Sequence, residues 1–284
     1  MLTVLHASDF QCGRPFRSAA ADALVRLAEE AAPDVVVVSG DLTQRAKVRE
    51  FQMASSILDR MPRVPHIVTP GNHDVPLFRV WERAFTPYRN WRRCISPELN
   101  TVTRVEGATF VALNSSAPRR TIVDGRIDPD QVDFARSAFE TTPPDDVRVL
   151  VIHHHFVPVH DGKGGRPLPR ARQVLADFEA MKVDFVLGGH VHQTHISTSS
   201  DLIEGGGQAG IPLIACGTTT SWRGRGLEAD LNSLNVLRIK SEEIEVTPHL
   251  LAAGGRAFEP LDPIVFRRHR RSGTSEVPGS EVVR

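Results

Sequence analysis

The feature that most constrains this chain is a set of short apolar runs that each end directly in Asp, Asn or His. Five candidate strands have this form, and they end in Ser8-Asp9-Phe10-Gln11, Ser39-Gly40-Asp41, Gly71-Asn72-His73-Asp74, His153-His154-His155 and Gly189-His190-Val191-His192. In α/β proteins the carboxyl ends of parallel strands gather ligands at one edge of the sheet. The pattern therefore predicts an α/β fold with a polar site at that edge.

Candidate strands alternate with amphipathic segments along most of the chain, as expected for βα units. We predict strands at 3–7, 35–38, 66–69, 101–105, 109–113, 147–152, 185–187, 212–215, 233–239 and 244–248. We predict helices at 18–32, 46–60, 77–85, 128–140 and 170–181, the fourth with Asp128 as N-cap and Pro129 at its first position.

The length and the apolar content are enough for one substantial core, since 40% of the 284 residues are hydrophobic. We expect one domain over residues 1–250 and a C-terminal extension over 251–284. The extension becomes Arg-rich and then Ser/Gly-rich, which predicts disorder from about residue 267.

Charge and cysteine content exclude several classes of protein. Lys plus Arg and Asp plus Glu each number 34, and this balance argues against a nucleic-acid partner. Three scattered cysteines, Cys12, Cys94 and Cys216, argue against a disulfide framework and favour a cytoplasmic location. No run approaches the roughly 20 apolar residues of a membrane span, so no membrane partner is expected. The oligomeric state stays open.

The residue types at the strand ends suit a pair of metal ions. Two ions about 3.5–4 Å apart can neutralise a phosphate ester and generate hydroxide at neutral pH. A carboxylate such as Asp41 can bridge both ions through its two oxygens. Mixed oxygen and imidazole ligands favour Mn, Fe or Zn over calcium.

Five motifs follow one another along the chain: Asp9-x-Gln11, Gly40-Asp41, Gly71-Asn72-His73-Asp74, His153 and Gly189-His190-x-His192. Together they resemble the signature of calcineurin-like metallophosphoesterases, and the resemblance covers about residues 1–250. The resemblance implies the metallo-dependent phosphatase fold, a four-layer α/β/β/α sandwich of two mixed sheets. It also implies hydrolysis by a hydroxide that bridges two metal ions. The Gly71-Asn72-His73-Asp74 spacing and the Cys216-Gly217-Thr218 segment resemble the branch of class III cyclic-nucleotide phosphodiesterases and glycerophosphodiesterases, so we expect a small phosphodiester substrate.

The resemblance also assigns roles to individual residues. One metal ion would be held by Asp9, Gln11, Asp41 and His192, and the other by Asp41, Asn72, His153 and His190. His73 resembles the histidine that binds the phosphoryl group or protonates the leaving oxygen. Asp74 would orient His73 through a carboxylate–imidazole hydrogen bond.

Several alternatives stay open. His154 competes with its neighbour His153 as the ligand. Arg223 or Arg225 could bind a substrate anion or form a structural ion pair. Most relatives carry histidine where this chain has Gln11, and some relatives with glutamine there cleave nucleotide diphosphates of the ADP-ribose or CDP-alcohol type. The alternatives to the phosphodiesterase are therefore such a pyrophosphatase, a phosphomonoesterase or protein phosphatase, and a non-catalytic scaffold.

Gln11→His tests whether position 11 ligates a metal ion. An amide oxygen is a weaker ligand than imidazole for Fe or Zn, so we expect tighter binding or a shift away from Mn. Competitive metal titration followed by metal analysis measures this. An unchanged metal profile would remove Gln11 from the ligand set.

Overall fold

The run Val35–Val38 shows how the sequence specifies a sheet between two layers. Branched β-carbons favour the extended backbone, and successive side chains of a strand point to opposite faces. In a computed structural model of the chain, Val35 and Val37 pack between two sheets, whereas Val36 and Val38 pack beneath helices. The structure describes residues 1–120, 123–159, 165–202, 210–252 and 254–268.

Within these residues, one mixed sheet has seven strands, in the order β12-β11-β10-β1-β2-β3, with β13 also paired to β11. Its strands are β1 (Leu2–Ala7), β2 (Val35–Val38), β3 (His66–Val68), β10 (Asn232–Ile239), β11 (Glu243–Leu251), β12 (Glu259–Pro260) and β13 (Ile264–Arg267). β1, β2 and β3 are parallel, and β10 runs antiparallel to β1.

The second mixed sheet has six described strands, in the order β4-β5-β6-β7-β9-β8. They are β4 (Thr101–Val105), β5 (Ala108–Leu113), β6 (Val147–Ile152), β7 (Phe185–Gly188), β8 (His195–Thr198) and β9 (Pro212–Ala215). The four inner strands β5, β6, β7 and β9 are parallel, and β4 and β8 run antiparallel at the two edges.

Helices cover the outer faces of both sheets. The described α-helices are α1 (Ser18–Ala31), α2 (Val48–Leu58), α3 (Val80–Phe85), α4 (Arg89–Cys94), α5 (Pro129–Glu140) and α6 (Ala171–Ala180). Side chains of α1 and α2 pack with the first sheet, and those of α5 and α6 with the second. A third apolar cluster, which includes Val37 and Phe110, fills the space between the sheets. The predicted four-layer α/β/β/α sandwich is therefore confirmed.

The described elements differ from the predicted ones mainly at the edges. The structure adds α4, β8, β12 and β13. β12 and β13 pair with β11, so residues 259–267 extend the first sheet beyond the predicted domain boundary at 250. Residues 269–284, most of the tail predicted to be disordered, lie outside the described residues. No described helix is both long enough and apolar enough to cross a membrane.

The register of the parallel strands brings their carboxyl ends together. Ala7 pairs with Val38 and Val38 with Val68 in the first sheet, and Val151 pairs with Leu187 in the second. The loops that follow these strands therefore leave both sheets at the same edge of the sandwich.

Phe110→Ala tests the role of the core between the sheets. Phe110 is fully buried, so its truncation leaves a cavity and should lower the free energy of unfolding by about 3–5 kcal/mol. Phe85→Ala is the control, because Phe85 is 70% exposed and its truncation should change stability by less than about 0.5 kcal/mol. Denaturant titration measures both, and equal losses would contradict the layered core.

Candidate metal centre

Several of the predicted ligands lie on turns with left-handed backbone. The φ values are 52° for Asp9, 47° for Gln11, 52° for Asp41, 74° for His190 and 59° for His192. A non-glycine residue rarely adopts this region, and each instance costs of order 1–3 kcal/mol. Tight turns directly after β1, β2 and β7 thus aim these side chains into one place, at a cost that the surrounding structure offsets.

The Asp9 carboxylate is held in one orientation and fully buried. Its Oδ2 accepts hydrogen bonds from Ser8 Oγ at 2.7 Å and from the His190 N–H at 3.0 Å. Its Oδ1 lies 3.4 Å from His192 Nε2 and has no hydrogen-bond partner in the described part of the chain. One oxygen is therefore fixed by the protein and the other is left for a ligand.

Asp41 repeats this arrangement from the neighbouring strand. Its Oδ1 accepts the His73 N–H at 2.8 Å and lies 3.4 Å from His153 Nε2. Its Oδ2 is buried and, among the described residues, without a partner. An unsatisfied buried carboxylate oxygen is costly, and a bound cation would remove that cost.

His153 and His154 differ in how their ring nitrogens are used. His153 Nδ1 lies 2.7 Å from the Ser39 carbonyl, to which it donates, so Nε2 is left facing Asp41. His154 uses both nitrogens elsewhere, with Ser115 Oγ at 2.7 Å and the Val123 carbonyl at 2.9 Å. This favours His153 as the ligand, although ligation stays a prediction.

The four remaining predicted ligands, Asn72, His190, His192 and Gln11, lie around the same site. His190 Nδ1 lies 3.0 Å from Asn72 Oδ1. His192 donates through Nδ1 to the Arg223 carbonyl at 3.0 Å, which leaves its Nε2 facing Asp9. The Gln11 amide nitrogen lies 3.2 Å from that Nε2, and its oxygen accepts from Ser221 Oγ at 3.4 Å. Ligation by Gln11 would require its amide oxygen to turn toward the site.

The donor set fits a pair of metal ions. Ligand atoms of Asp9, Asp41 and His153 lie within 4.8 Å of one another, and so do those of His153, His154 and His190. Burial raises the pKa of Asp9, and the negative charge of Asp41 raises it further. Burial would also raise the pKa of Asp41, but His153 and His73 lower it well below its usual range. Two carboxylates that are buried together this way are suited to binding cations.

His73 lies at the rim of this cluster and is oriented differently from the prediction. Its Nδ1 lies 3.0 Å from the Gln44 carbonyl, and its Nε2 accepts a hydrogen bond from Arg223 Nη1 at 3.1 Å. Burial lowers the pKa of His73, and the nearby Arg223 and Arg45 lower it further, against the charge of Asp41. Burial and these two arginines therefore favour the neutral imidazole of His73.

The predicted hydrogen bond between Asp74 and the His73 ring was wrong. Asp74 accepts hydrogen bonds from the N–H groups of Leu42, Gly71 and Thr43 at 2.9–3.1 Å and from Thr43 Oγ1 at 3.0 Å. Its carboxylate faces the turn after β2 because these donors surround it. Asp74 thus fixes the loops that carry Asp41, and the Gln44 carbonyl orients His73.

Sequence reasoning did not find the backbone groups that orient the ligands. The carbonyls of Ser39, Gln44 and Arg223 fix the three imidazoles of His153, His73 and His192. A carbonyl is present in every residue, so no sequence pattern could reveal these three. Ser8, whose hydroxyl holds Asp9, stands directly before it, and that adjacency is a signal for a local hydrogen bond.

Comparisons with known proteins bear on the family and the fold of this chain. The model of the family described as calcineurin-like phosphoesterase matches residues 2–194. The fold is similar to that of purple acid phosphatase PPD1 from yellow lupin seeds, with a TM-score of 0.71 and 12% identity over 95% of this chain. The alignment spans 54% of the lupin protein, so this chain matches about half of its length.

Two further structures are similar to this chain over nearly their whole length. A dimetal phosphatase from Danio rerio has a TM-score of 0.64 and 12% identity, over 94% of this chain and 99% of that protein. GAP50 of Plasmodium, described as the anchor in the inner membrane complex, has a TM-score of 0.63 and 12% identity, over 95% and 90%. At these identities the structures show the fold alone. No curated protein matches the sequence.

Gly71→Ala tests whether close backbone packing positions Asp41. A Cβ at Gly71 would overlap the Asp41 carboxylate and lie 2.5 Å from the Asp41 nitrogen. We expect the displaced carboxylate to weaken metal binding by about 10–100-fold, measured by metal titration.

Gly107→Ala is the control for that measurement. Gly107 has φ +78° and open space around its Cβ position, so alanine there adds backbone strain of about 1 kcal/mol without touching the site. Similar metal affinities of the two folded variants would contradict the role given to Gly71.

Proposed function

Because this chain belongs to the calcineurin-like phosphoesterase family, we propose that it is a metal-dependent phosphodiesterase that hydrolyses a small phosphodiester. The observation that carries the proposal is the buried convergence of Asp9 and Asp41, which face His192 and His153 and each keep one carboxylate oxygen without a partner among the described residues. These groups come from distant positions of the chain and from both sheets, and a pair of cations accounts for their meeting.

We assign the metal ions to the predicted ligands. One ion would be held by Asp9, Gln11, Asp41 and His192, and the other by Asp41, Asn72, His153 and His190. The ions would neutralise the phosphate and lower the pKa of water so that it can attack at neutral pH. Mn, Fe and Zn suit this mixture of oxygen and nitrogen donors.

His73 and Arg223 act on the substrate in this proposal. Arg223 donates to His73 Nε2 in the substrate-free protein, and an arginine in this position can turn its guanidinium to a phosphoryl oxygen. The anionic phosphate would raise the lowered pKa of His73, so that Nε2 can hold a proton and pass it to the leaving oxygen. Asp74 acts indirectly, because it braces the loop of Asp41.

The shape of the cavity supports a diester over a monoester. A cavity of about 1190 Å³ opens over Asp41, Asn72 and His73, which is room for a second alcohol. Met53 and Leu77 form an apolar part of the cavity lining, and the carbon skeleton of the substrate alcohol can pack against it.

Two alternatives have a specific basis. Gln11 is the sequence feature that favours a nucleotide-diphosphate pyrophosphatase, of the ADP-ribose or CDP-alcohol type. The similarity to GAP50, described as an anchor, is the basis for a non-catalytic scaffold. The retained pair of carboxylates with unsatisfied buried oxygens argues against the scaffold, since a scaffold has no need of that cost.

The described cysteines Cys12, Cys94 and Cys216 are unpaired, which is consistent with the cytoplasmic location we propose.

Asp41→Ala tests the proposed function directly. The manganese-loaded protein should cleave bis(p-nitrophenyl) phosphate faster than p-nitrophenyl phosphate, and Asp41→Ala should lose most bound metal and nearly all turnover. The reason is that Asp41 contributes to both predicted ion sites. Metal analysis and p-nitrophenol release measure the two effects.

Asp133→Ala is the matched control, because the Asp133 side chain is 75% exposed on α5 and should leave both properties unchanged. A stronger preference for the monoester would favour the phosphomonoesterase. A panel of cyclic AMP, ADP-ribose and CDP-alcohols identifies a pyrophosphatase. A metal-replete protein without turnover on any of these esters would support the scaffold.

A further inference from the structure

The cavity over the candidate metal centre is far more basic than the protein as a whole. Among the described residues that line it, six are cationic, whereas two, Asp41 and Glu50, carry carboxylates. The cationic residues are Arg14, Arg45, Lys47, Arg49, Arg223 and Arg225. The full chain is neutral, with 34 residues of each sign, so this is a local concentration of positive charge.

Four of these side chains form one group, which we call the cationic arc: Arg14, Arg45, Lys47 and Arg49. Arg14 lies in one loop, and Arg45, Lys47 and Arg49 lie in a neighbouring loop and at the start of α2, which follows that loop. Cys12 and Thr43 form a β-bridge, and the Gln44 N–H donates to the Cys12 carbonyl at 3.0 Å, so the loops of Arg14 and Arg45 run side by side.

The cationic arc begins next to the reacting groups. The Gln44 carbonyl contacts His73 Nδ1 at 3.0 Å, and Arg45 is the next residue along the chain. Lys47 and Arg49 follow at the start of α2 and are exposed. The arc therefore extends from His73 outward along one wall of the cavity.

The protein itself supplies little negative charge to this arc. Glu50 is buried and its Oε2 accepts the backbone N–H groups of Arg45 at 2.7 Å and Lys47 at 3.3 Å. Within the described residues, none of the four arc side chains forms a salt bridge. Glu50 thus binds two backbone N–H groups that precede α2, whereas the charges of the arc side chains have no carboxylate partner in the described part of the chain.

A single phosphodiester does not need this arc. Its one negative charge would be neutralised by the two metal ions and by Arg223, and additional like charges repel one another. Guanidinium and ammonium groups gathered without counter-ions are the usual means of binding a phosphate.

We propose that the cationic arc binds a second phosphate group of the substrate, separated from the scissile phosphodiester by the alcohol portion. This inference rests on the proposed phosphodiesterase function, and it narrows the substrate to a phosphodiester whose alcohol carries its own phosphate, as in a nucleoside bisphosphate ester. Met53, beside the arc, offers apolar surface to the part between the two phosphates.

Two p-nitrophenyl esters that differ in one group test the inference. The first is thymidine 5′-(p-nitrophenyl phosphate), and the second carries an additional 3′-phosphate. In both, water attacks the 5′-phosphorus, the bond to p-nitrophenolate breaks, and the products are p-nitrophenol and thymidine 5′-phosphate or thymidine 3′,5′-bisphosphate. The manganese-loaded protein should prefer the second ester by about tenfold or more in kcat/KM, mainly through KM.

Variants of the cationic arc test whether its side chains cause the preference for the ester with the additional 3′-phosphate. One variant combines Lys47→Gln with Arg49→Gln, and a second carries Arg14→Gln alone. Each should reduce the ratio of kcat/KM between the two esters. Arg172→Gln is the matched control, because Arg172 is exposed on α6 and its substitution removes one charge, as Arg14→Gln does. The control should keep the ratio of the unmodified protein.

Calorimetry gives a reading that does not depend on turnover. Thymidine 3′,5′-bisphosphate should bind more tightly than thymidine 5′-monophosphate, and the arc variants should lose the difference. Each of three results would overturn the inference. The first is that the bisphosphate and the monophosphate bind with equal affinity, and the second is that the ratio of kcat/KM between the two esters is near one. The third is that this ratio falls as much in Arg172→Gln as in the arc variants. If neither ester nor bis(p-nitrophenyl) phosphate is hydrolysed, the proposed function fails, while calorimetry still decides whether the arc binds the second phosphate.

Discussion

The rest of the structure depends on the burial of two carboxylates, Asp9 and Asp41, at the edge where the two sheets meet. Each has one oxygen held by backbone or hydroxyl donors and one that is without a partner among the described residues. Desolvated like charges are unfavourable, and bound cations would remove that cost. The surrounding imidazoles would supply further ligands of such cations.

Holding these groups in place requires a rigid surrounding. The sheets join directly at the site, since His153 from the second sheet donates to the Ser39 carbonyl of the first, and the His190 N–H donates to Asp9. Gly71 allows its loop to press against Asp41 where any side chain would overlap the carboxylate. The apolar layer between the sheets fixes their spacing, and so it contributes to the geometry of the ligands.

Around this negatively charged centre the protein arranges positive charge in two zones. Arg223 lies against His73, where a phosphoryl group would be positioned. The cationic arc lies further out on the cavity wall, where it contributes to the choice of substrate.

The sequence by itself determined the layered fold and the residues that meet at the site. Runs such as Val35–Val38 can only be buried on both faces, and a polar residue directly after each such run must lie at the sheet edge. The short elements α4, β8, β12 and β13 could not be predicted, because their pairing and packing come from neighbours distant in the chain.

Only the tertiary structure decided how each side chain is used. Asp74 follows His73 in sequence, yet its carboxylate turns to the amides of Leu42 and Thr43, because those donors surround it in the fold. His153 and His154 are chemically identical, and only the positions of Ser39 and Ser115 give them different partners. The cationic arc likewise exists only because two loops lie side by side, since charge adds up through space and not along the chain.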